Sequence, residues 1–437
     1  VFDIFNLRSV DFTGMASGTA TAYSIFKNPV MSTNLSVREF CFNDAYLGEM
    51  RVSGEWDAVE EGIYLKANIV EKDIAENSVD GYIFPLRPKS GLDLNIKAKN
   101  ANLAFMREYL DDITPNIEGR VSGDIRLYGG FSTLNIAGKA KADAKFKVDV
   151  LDTYFTLNDS IKMSNEEVTF TNVSFSDLEG HRGIVNGYLR HKHFKEMSYR
   201  FQINANNMLV MNTHEDPDMP FYGKIYATGN TLLRGDMKSL NVDAAISTNR
   251  NTTFVYTLAE SASAVSNQFI KFVDKTPGRI FQDTIQMLSK VEMEHQKYHR
   301  TDNGNDEMDI RMNITVDANT DANVRIIMDP ISGDYITGSG TGNIRAEYYN
   351  KGDIRMFGNY YINQGVYKFS LQEVIRKDFV INQGSNIMFN GDPTEALMDI
   401  QAIYTVNSAS LTDLVPGNSD LIRRNNVRVN CLMNLTG

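Results

Sequence analysis

The chain has 437 residues, 42% of them hydrophobic, and a formal net charge of −11. That charge, with no cluster of Lys and Arg, argues against nucleic acid as a partner, because phosphate binding needs concentrated cations to displace counterions. No apolar run approaches the roughly 20 residues of a membrane-crossing helix.

In chain order, the first signal is a phrase opened by a glycine. Gly18 begins GTATAYSIF, Gly123 begins GDIRLYGGFSTLNIAG, Gly229 begins GNTLLRGDMKSLNVDA and Gly342 begins GNIRAEYYNKGDIRMFG, at near-equal intervals. Repetition of a β-type phrase predicts a stacked structure, and the glycines are expected at its tight reversals. Period-two alternation fills most of the remainder. Leu92, Leu94 and Ile96 alternate with Asp93, Asn95 and Lys97, and Phe201, Ile203 and Ala205 with polar residues. Ile310, Met312, Ile314 and Val316 do the same, as do Ile344, Ala346 and Tyr348 against Arg345 and Glu347. Successive strand residues point oppositely, so each segment has one wet face and one that must be covered.

Two stretches read as helical. Leu103, Met106 and Leu110 share a helical face within Ala101–Ile113. From Leu258 to Tyr298, Val265, Phe269, Phe272 and Val273 form one amphipathic face. Pro277-Gly278 breaks it, Ile280, Ile285 and Leu288 resume it, and the polar TDNGNDEMD loop (Thr301 to Asp309) follows. The expected organisation is therefore repetitive β-segments over 1–257, a helical insertion with its polar loop over 258–309, and a further β-segment over 310–437. Val1 is not a methionine and Gly437 directly follows strand-like sequence, so both ends read as truncated. So many half-apolar strands with so few helices leave three solutions: a self-filled sandwich, a membrane barrel, or a long sheet bent into a trough. Scattered aromatics and the helical interruption disfavour the barrel.

Candidates for chemistry are weak. His295 and His299 have metal-ligand spacing, but Gln296 stands where the zinc-protease motif needs Glu. His191 and His193 share a strand face without a third ligand, and the Thr301–Asp309 loop lacks calcium-loop spacing. Cys41 and Cys431 have no neighbouring His or Cys, and whether they pair is left open. The expectation is no enzyme, no metal and no cofactor. Asp392, in Gly391-Asp392-Pro393, is read as a turn residue whose carboxylate bonds nearby backbone.

From Gly358 to Tyr404 the sequence resembles the TamB family, the envelope-spanning component of the translocation and assembly module. The residues carrying the resemblance are Gly365, Tyr367, Phe369, Leu371, Lys377, Phe379, Ile381, Gly384-Ser385, Gly391-Asp392-Pro393, Ala396, Asp399-Ile400, Ala402 and Tyr404. Phe221–Gly235 and Asp177–Phe194 are similar to the Bacteroidetes branch. The resemblance implies a periplasmic protein, anchored in the inner membrane by an N-terminal helix outside this sequence. Its C-terminal end meets an Omp85-type, TamA-like outer-membrane barrel, and phospholipid acyl chains are its cargo.

The fold this implies is all-β: an elongated, mostly antiparallel repetitive sheet bent into a U-shaped, taco-like hydrophobic trough, with short helices. Alternation names the expected lining: Ile125, Leu127, Leu134 and Ile136; Leu233, Leu240 and Val242; Ile344, Ala346, Ile354 and Met356; then Tyr367, Phe369 and Leu371. The same residues would fill a packed sandwich. The alternative function is a scaffold that helps outer-membrane proteins insert by β-augmentation, without carrying lipid.

Overall fold

The computed structural model describes residues 12–23, 30–43, 45–85, 90–107, 114, 116–131, 133–193, 195–216, 219–258, 308–330, 332–371, 375–410 and 426–437. Its strands begin with β1 (Phe12–Tyr23), β2 (Val30–Phe42), β3 (Ala45–Asp57), β4 (Gly62–Glu71), β5 (Ala75–Phe84) and β6 (Gly91–Asn102). Next are β7 (Ile117–Gly130), β8 (Thr133–Val148), β9 (Thr153–Ser164), β10 (Glu167–Asp177), β11 (Arg182–Lys192) and β12 (Lys195–Thr213). β13 (Phe221–Asp236), β14 (Ser239–Thr248), β15 (Thr253–Thr257), β16 (Asp309–Ala318), β17 (Asn323–Asp329) and β18 (Asp334–Tyr349) follow. The last are β19 (Arg355–Leu371), β20 (Ile375–Ile381), β21 (Asn386–Gly391), β22 (Leu397–Ser410) and β23 (Asn426–Thr436).

All 23 described strands belong to one sheet. This is the all-β, elongated and mostly antiparallel trough that the family resemblance implies. From β1 to β14 each strand pairs antiparallel with the next, as hairpins. The repeated phrases at Gly123 and Gly229 are two such hairpins, β7–β8 and β13–β14. One junction departs from the meander: β14 pairs parallel with β16, and β15 parallel with β17. The helical insertion expected over 258–309 lies outside the described residues, apart from its first and last positions.

Long strands must bend to make a trough, and three of the bends are built from asparagines. β6, β10 and β12 each carry a register slip, at Ala98/Ala101, Phe170/Val173 and Ala205/Met208. At each slip sits an asparagine with positive φ: Asn100 (65°), Asn172 (51°) and Asn207 (50°). Asparagine is among the few non-glycine residues that adopt this conformation at low cost. A bulge also frees backbone N–H groups from the ladder. Side chains of the flanking strands accept from them. Asn100 N–H donates to Ser122 Oγ (2.8 Å), Asn172 N–H to Asn186 Oδ1 (2.7 Å) and Asn207 N–H to Thr228 Oγ1 (2.9 Å). On the other side Lys99 N–H donates to Asn77 Oδ1, Ser174 N–H to Asp159 Oδ2 and Leu209 N–H to Asp177 Oδ2.

Further along, the bend becomes a break. β14 and β15 share β13 as partner, β16 and β17 share β18, and β20 and β21 share β19. Each pair is one strand interrupted by a turn that opens with asparagine, closed by Thr252 N–H to Asn249 O, Ala322 N–H to Asn319 O and Ser385 N–H to Asn382 O.

Two sequence expectations need correction. Gly18, Gly123, Gly229 and Gly342 are not at reversals; all four lie inside strands β1, β7, β13 and β18. A Cβ there would collide with the neighbouring strand's carbonyl, that of Asn34, Lys139, Ala245 and Asn359 respectively, so they serve close backbone approach rather than turning. The helix expected over Ala101–Ile113 is, in its described part, the end of β6 and one 3₁₀ turn, Leu103–Met106, capped by Asn102 Oδ1. Short-range spacing of Leu103 and Met106 fits either form, and strand β6 claims Ala101 and Asn102 first.

The largest packed core lies at the C-terminal end, where Ile326, Ile336, Tyr360, Ile362, Tyr367, Phe379, Ile387 and Ile400 meet, with Ile400 at 0% exposure. Ile400→Ala is expected to destabilise the protein by about 2–5 kcal/mol. Thr228→Val, which strips the acceptor from Asn207 N–H and the donor to Asn249, is expected to lose about 1–3 kcal/mol. Urea unfolding checks both, and equal stability of Thr228→Val and wild type would contradict the capping role.

Candidate functional site: an apolar groove

The pairing register lets single rows of side chains be followed across the sheet. One row runs Gly18, Leu35, Val52, Ala67, Val79, Ile96, Ile125, Gly138, from β1 to β8. It continues through Met163, Val168, Leu189, Tyr199, Gly235 and Leu240 to Ile310 of β16. Every member is apolar, aromatic or glycine. One residue away on the same strands runs Ser36, Arg51, Asn68, Ser78, Lys97, Asp124, Lys139, Lys162 and Thr169, all hydrophilic. Alternation within each strand is thus kept in phase between strands, so one face of the whole sheet is apolar.

Parallel rows repeat the pattern. Phe170, Gly187, Phe201, Leu233, Val242, Met312 and Tyr348 form one. A second joins Ala144, Leu157, Phe175, Gly183, Ala205, Gly229, Ile246, Val316, Ile344, Gly358 and Phe389. The hydrophilic face holds its tyrosines with cations: Arg190 stands 4.3 Å from the Tyr188 ring centre and Arg126 4.8 Å from that of Tyr128. Arg126 also makes two 2.7 Å hydrogen bonds to the Asp93 carboxylate.

Except for Ile354 and Leu371, the expected lining residues fall on this face, in two environments. Ile125, Leu127, Leu134 and Ile136 lie together on β7 and β8, where Leu127 faces Ile136 and Gly129 faces Leu134. Leu233 faces Val242, and Leu240 faces Gly235. All seven are half-buried and belong to none of the packed clusters. Ala346 faces Met356 and both are half-buried. Ile344 and Tyr367 are buried in the C-terminal core, against which Met356 and Phe369 pack. Ile354 precedes β19 and has no ladder partner, and Leu371 ends that strand with its side chain outside the described residues.

Polar groups within the face cluster at the bends. Asp177, with a side chain 0% exposed, accepts from the N–H groups of Glu179, His181 and Leu209 and bonds His181 Nδ1 at 2.9 Å. Burial alone would push this carboxyl up, but the hydrogen bonds from Leu209 and His181 outweigh it and hold the carboxyl below its usual range. Backbone bonds from Ser174 and Ser160 likewise keep Asp159 low. Sequence reasoning missed these residues. Their signal is an Asn or Asp inside an alternating run, where strands disfavour both, beside a slip in the alternation. Burial pushes the Tyr360 and Tyr367 hydroxyls up to about 12.

Among the described residues no three His, Cys, Asp or Glu side chains group as a metal site. His193 sits in the turn after β11 with φ of 53° instead of sharing a strand face with His191. His295 and His299 lie outside the described residues. Asp392 caps the 3₁₀ turn Pro393–Glu395, accepting from Thr394 N–H (2.8 Å) and Oγ1 (2.7 Å). Cys41 and Cys431 are free thiols on β2 and β23.

A family model described as the TamB C-terminal domain matches residues 171–437, well over half of the chain. The chain belongs to the TamB family. No curated protein and no solved structure matches it significantly. TamB is not an enzyme family, and membership places the chain in the cell envelope, in the translocation and assembly module, whose members associate with TamA-like partners. No helix among the described residues is long and apolar enough to cross a membrane. The apolar rows run on from the matched region into β1 to β9, so the sheet that precedes residue 171 is built by the same rule.

Because the folded Asp177 carboxyl is depressed, its stabilisation is complete above the unfolded carboxyl value and is lost as pH falls through the lower folded one. Asp177→Asn should therefore be less stable at neutral pH, with stability that falls less steeply below pH about 4. Chemical denaturation at neutral and acid pH checks this; parallel pH profiles would contradict it.

Proposed function

We propose that the protein conducts phospholipids between the inner and outer membranes along the apolar face. The observation carrying this is the unbroken row from Gly18 to Ile310, in which Ile125 and Leu240, like the other expected lining residues of β7, β8, β13 and β14, stay half-buried outside the packed clusters. An acyl chain in water is penalised by about 0.8 kcal/mol per methylene. A continuous row of apolar side chains, interspersed with glycine, lowers that penalty along the path, while the headgroup stays in water at the rim. No reaction centre is needed, only a lining without deep traps or stray charge. An N-terminal anchor in the inner membrane and an Omp85-type barrel at the C-terminal end complete the path in this reading.

A scaffold for outer-membrane protein insertion is the second reading. Strand β23 supports it: among the described residues β23 pairs only with β22, and a sheet edge of this kind suits strand addition.

Photo-crosslinking in cells separates the two. Probes at Ile125 and Leu127 should capture phospholipid, and probes at Asp124 and Arg126 should not; equal capture on both faces, or none, would overturn the conduit. Leu127→Asp is expected to cut lipid transfer at least about tenfold, because a charge in an apolar track costs several kcal/mol, whereas Arg126→Gln should leave it intact. Intact lipid transfer with failed barrel assembly in Leu127→Asp would favour the scaffold.

A further inference from the structure

We infer that the C-terminal end of the groove is a gate, closed on its own side chains and biased towards opening by Tyr360. This deepens the lipid reading and rests on it. Ile326 of β17 and Ile387 of β21 line one apolar void, although β17, β18, β19 and β21 are successive neighbours in the sheet. In a flat sheet three strand spacings would hold them about 14 Å apart. The sheet is folded over at this point, and the void that remains is about 10 Å³. That is at or below the space of a single water, about 10–15 Å³. No acyl chain fits this void while these side chains are in place, whereas Ile125, Leu127, Leu134, Ile136, Leu233, Leu240 and Val242 upstream are half-buried and belong to no packed cluster.

Two features make the closed state one of a pair. The first is a line of weakness. The turns 249–252, 319–322 and 382–385 interrupt three strands beside the void, and the β18–β19 ladder slips at Ser339/Gly340 between them. Such interruptions concentrate bending on few residues. The second is Tyr360 itself. Its side chain lines the void and is only 7% exposed, yet its hydroxyl has no hydrogen-bond partner among the described residues. A buried, unsatisfied hydroxyl penalises the state that buries it. Opening exposes it to water or to a lipid ester or phosphate oxygen, so the closed state is held back from permanence.

The test uses the full chain with vesicles of phosphatidylethanolamine and phosphatidylglycerol, including radiolabelled phosphatidylethanolamine. A photo-reactive phenylalanine analogue replaces Tyr348, which continues the apolar row of Leu233, Val242 and Met312 at the end of β18 away from the void, or Tyr404 of β22, on the far side of it. Tyr360→Phe should leave capture at 348 unchanged and reduce capture at 404 about fivefold or more. Ile326→Cys with Ile387→Cys, in a Cys41→Ser, Cys431→Ser background, should lose capture at 404 on oxidation and regain it on reduction. Unchanged capture at 404 in Tyr360→Phe and in the oxidised pair would overturn the gate. So would capture at 348 with none at 404 in the otherwise unaltered chain, because lipid would then leave upstream. Absence of lipid at 348 in every variant would instead remove the lipid reading, and the gate with it.

Discussion

Everything in this molecule depends on phase. A strand turns successive side chains to opposite faces, and a slip of one residue between neighbours would put charge where oil belongs. The register holds Gly18, Val52, Ile125, Val168 and Leu240 in one row over strands far apart in sequence. Bending such a sheet without losing phase is the harder problem. Each bulge inserts residues that would invert the pattern beyond it, and Asn100, Asn172 and Asn207 absorb that insertion in a single left-handed residue. The carboxylates and amides of Asn77, Asp159 and Asp177 then answer the freed N–H groups, so polar side chains appear within the apolar face where the backbone demands them.

What the sequence makes legible follows from locality. Alternation at Leu92–Ile96 or Ile310–Val316 is a property of a few adjacent residues, and the strand assignments it implies are those observed. The hairpins at Gly123 and Gly229 are equally local. Glycine's reason for being there is not, because a collision with the carbonyl of Lys139 or Ala245 depends on a strand whose pairing must first be known. The parallel junction between β14 and β16 is illegible for the same reason.

The expected lining illustrates the limit. Ile125 and Ile344 read alike in sequence, each an apolar residue beside a charged one. They share a face of the sheet, yet Ile125 is half-open and Ile344 is packed into a core. The difference lies in how far the sheet curls between β17 and β22, set by strands three positions apart meeting across a void. No short window of residues records that curvature.

The single parallel junction has an effect on polarity. In an uninterrupted meander, direction reverses at every step. Because β14 and β16 point the same way, all later strands are inverted relative to that scheme, and β23 runs in the same direction as β1. The orientation in which the final strand meets any newcomer is therefore decided by one pairing some hundred residues earlier in the chain, at β16, rather than by the strand itself.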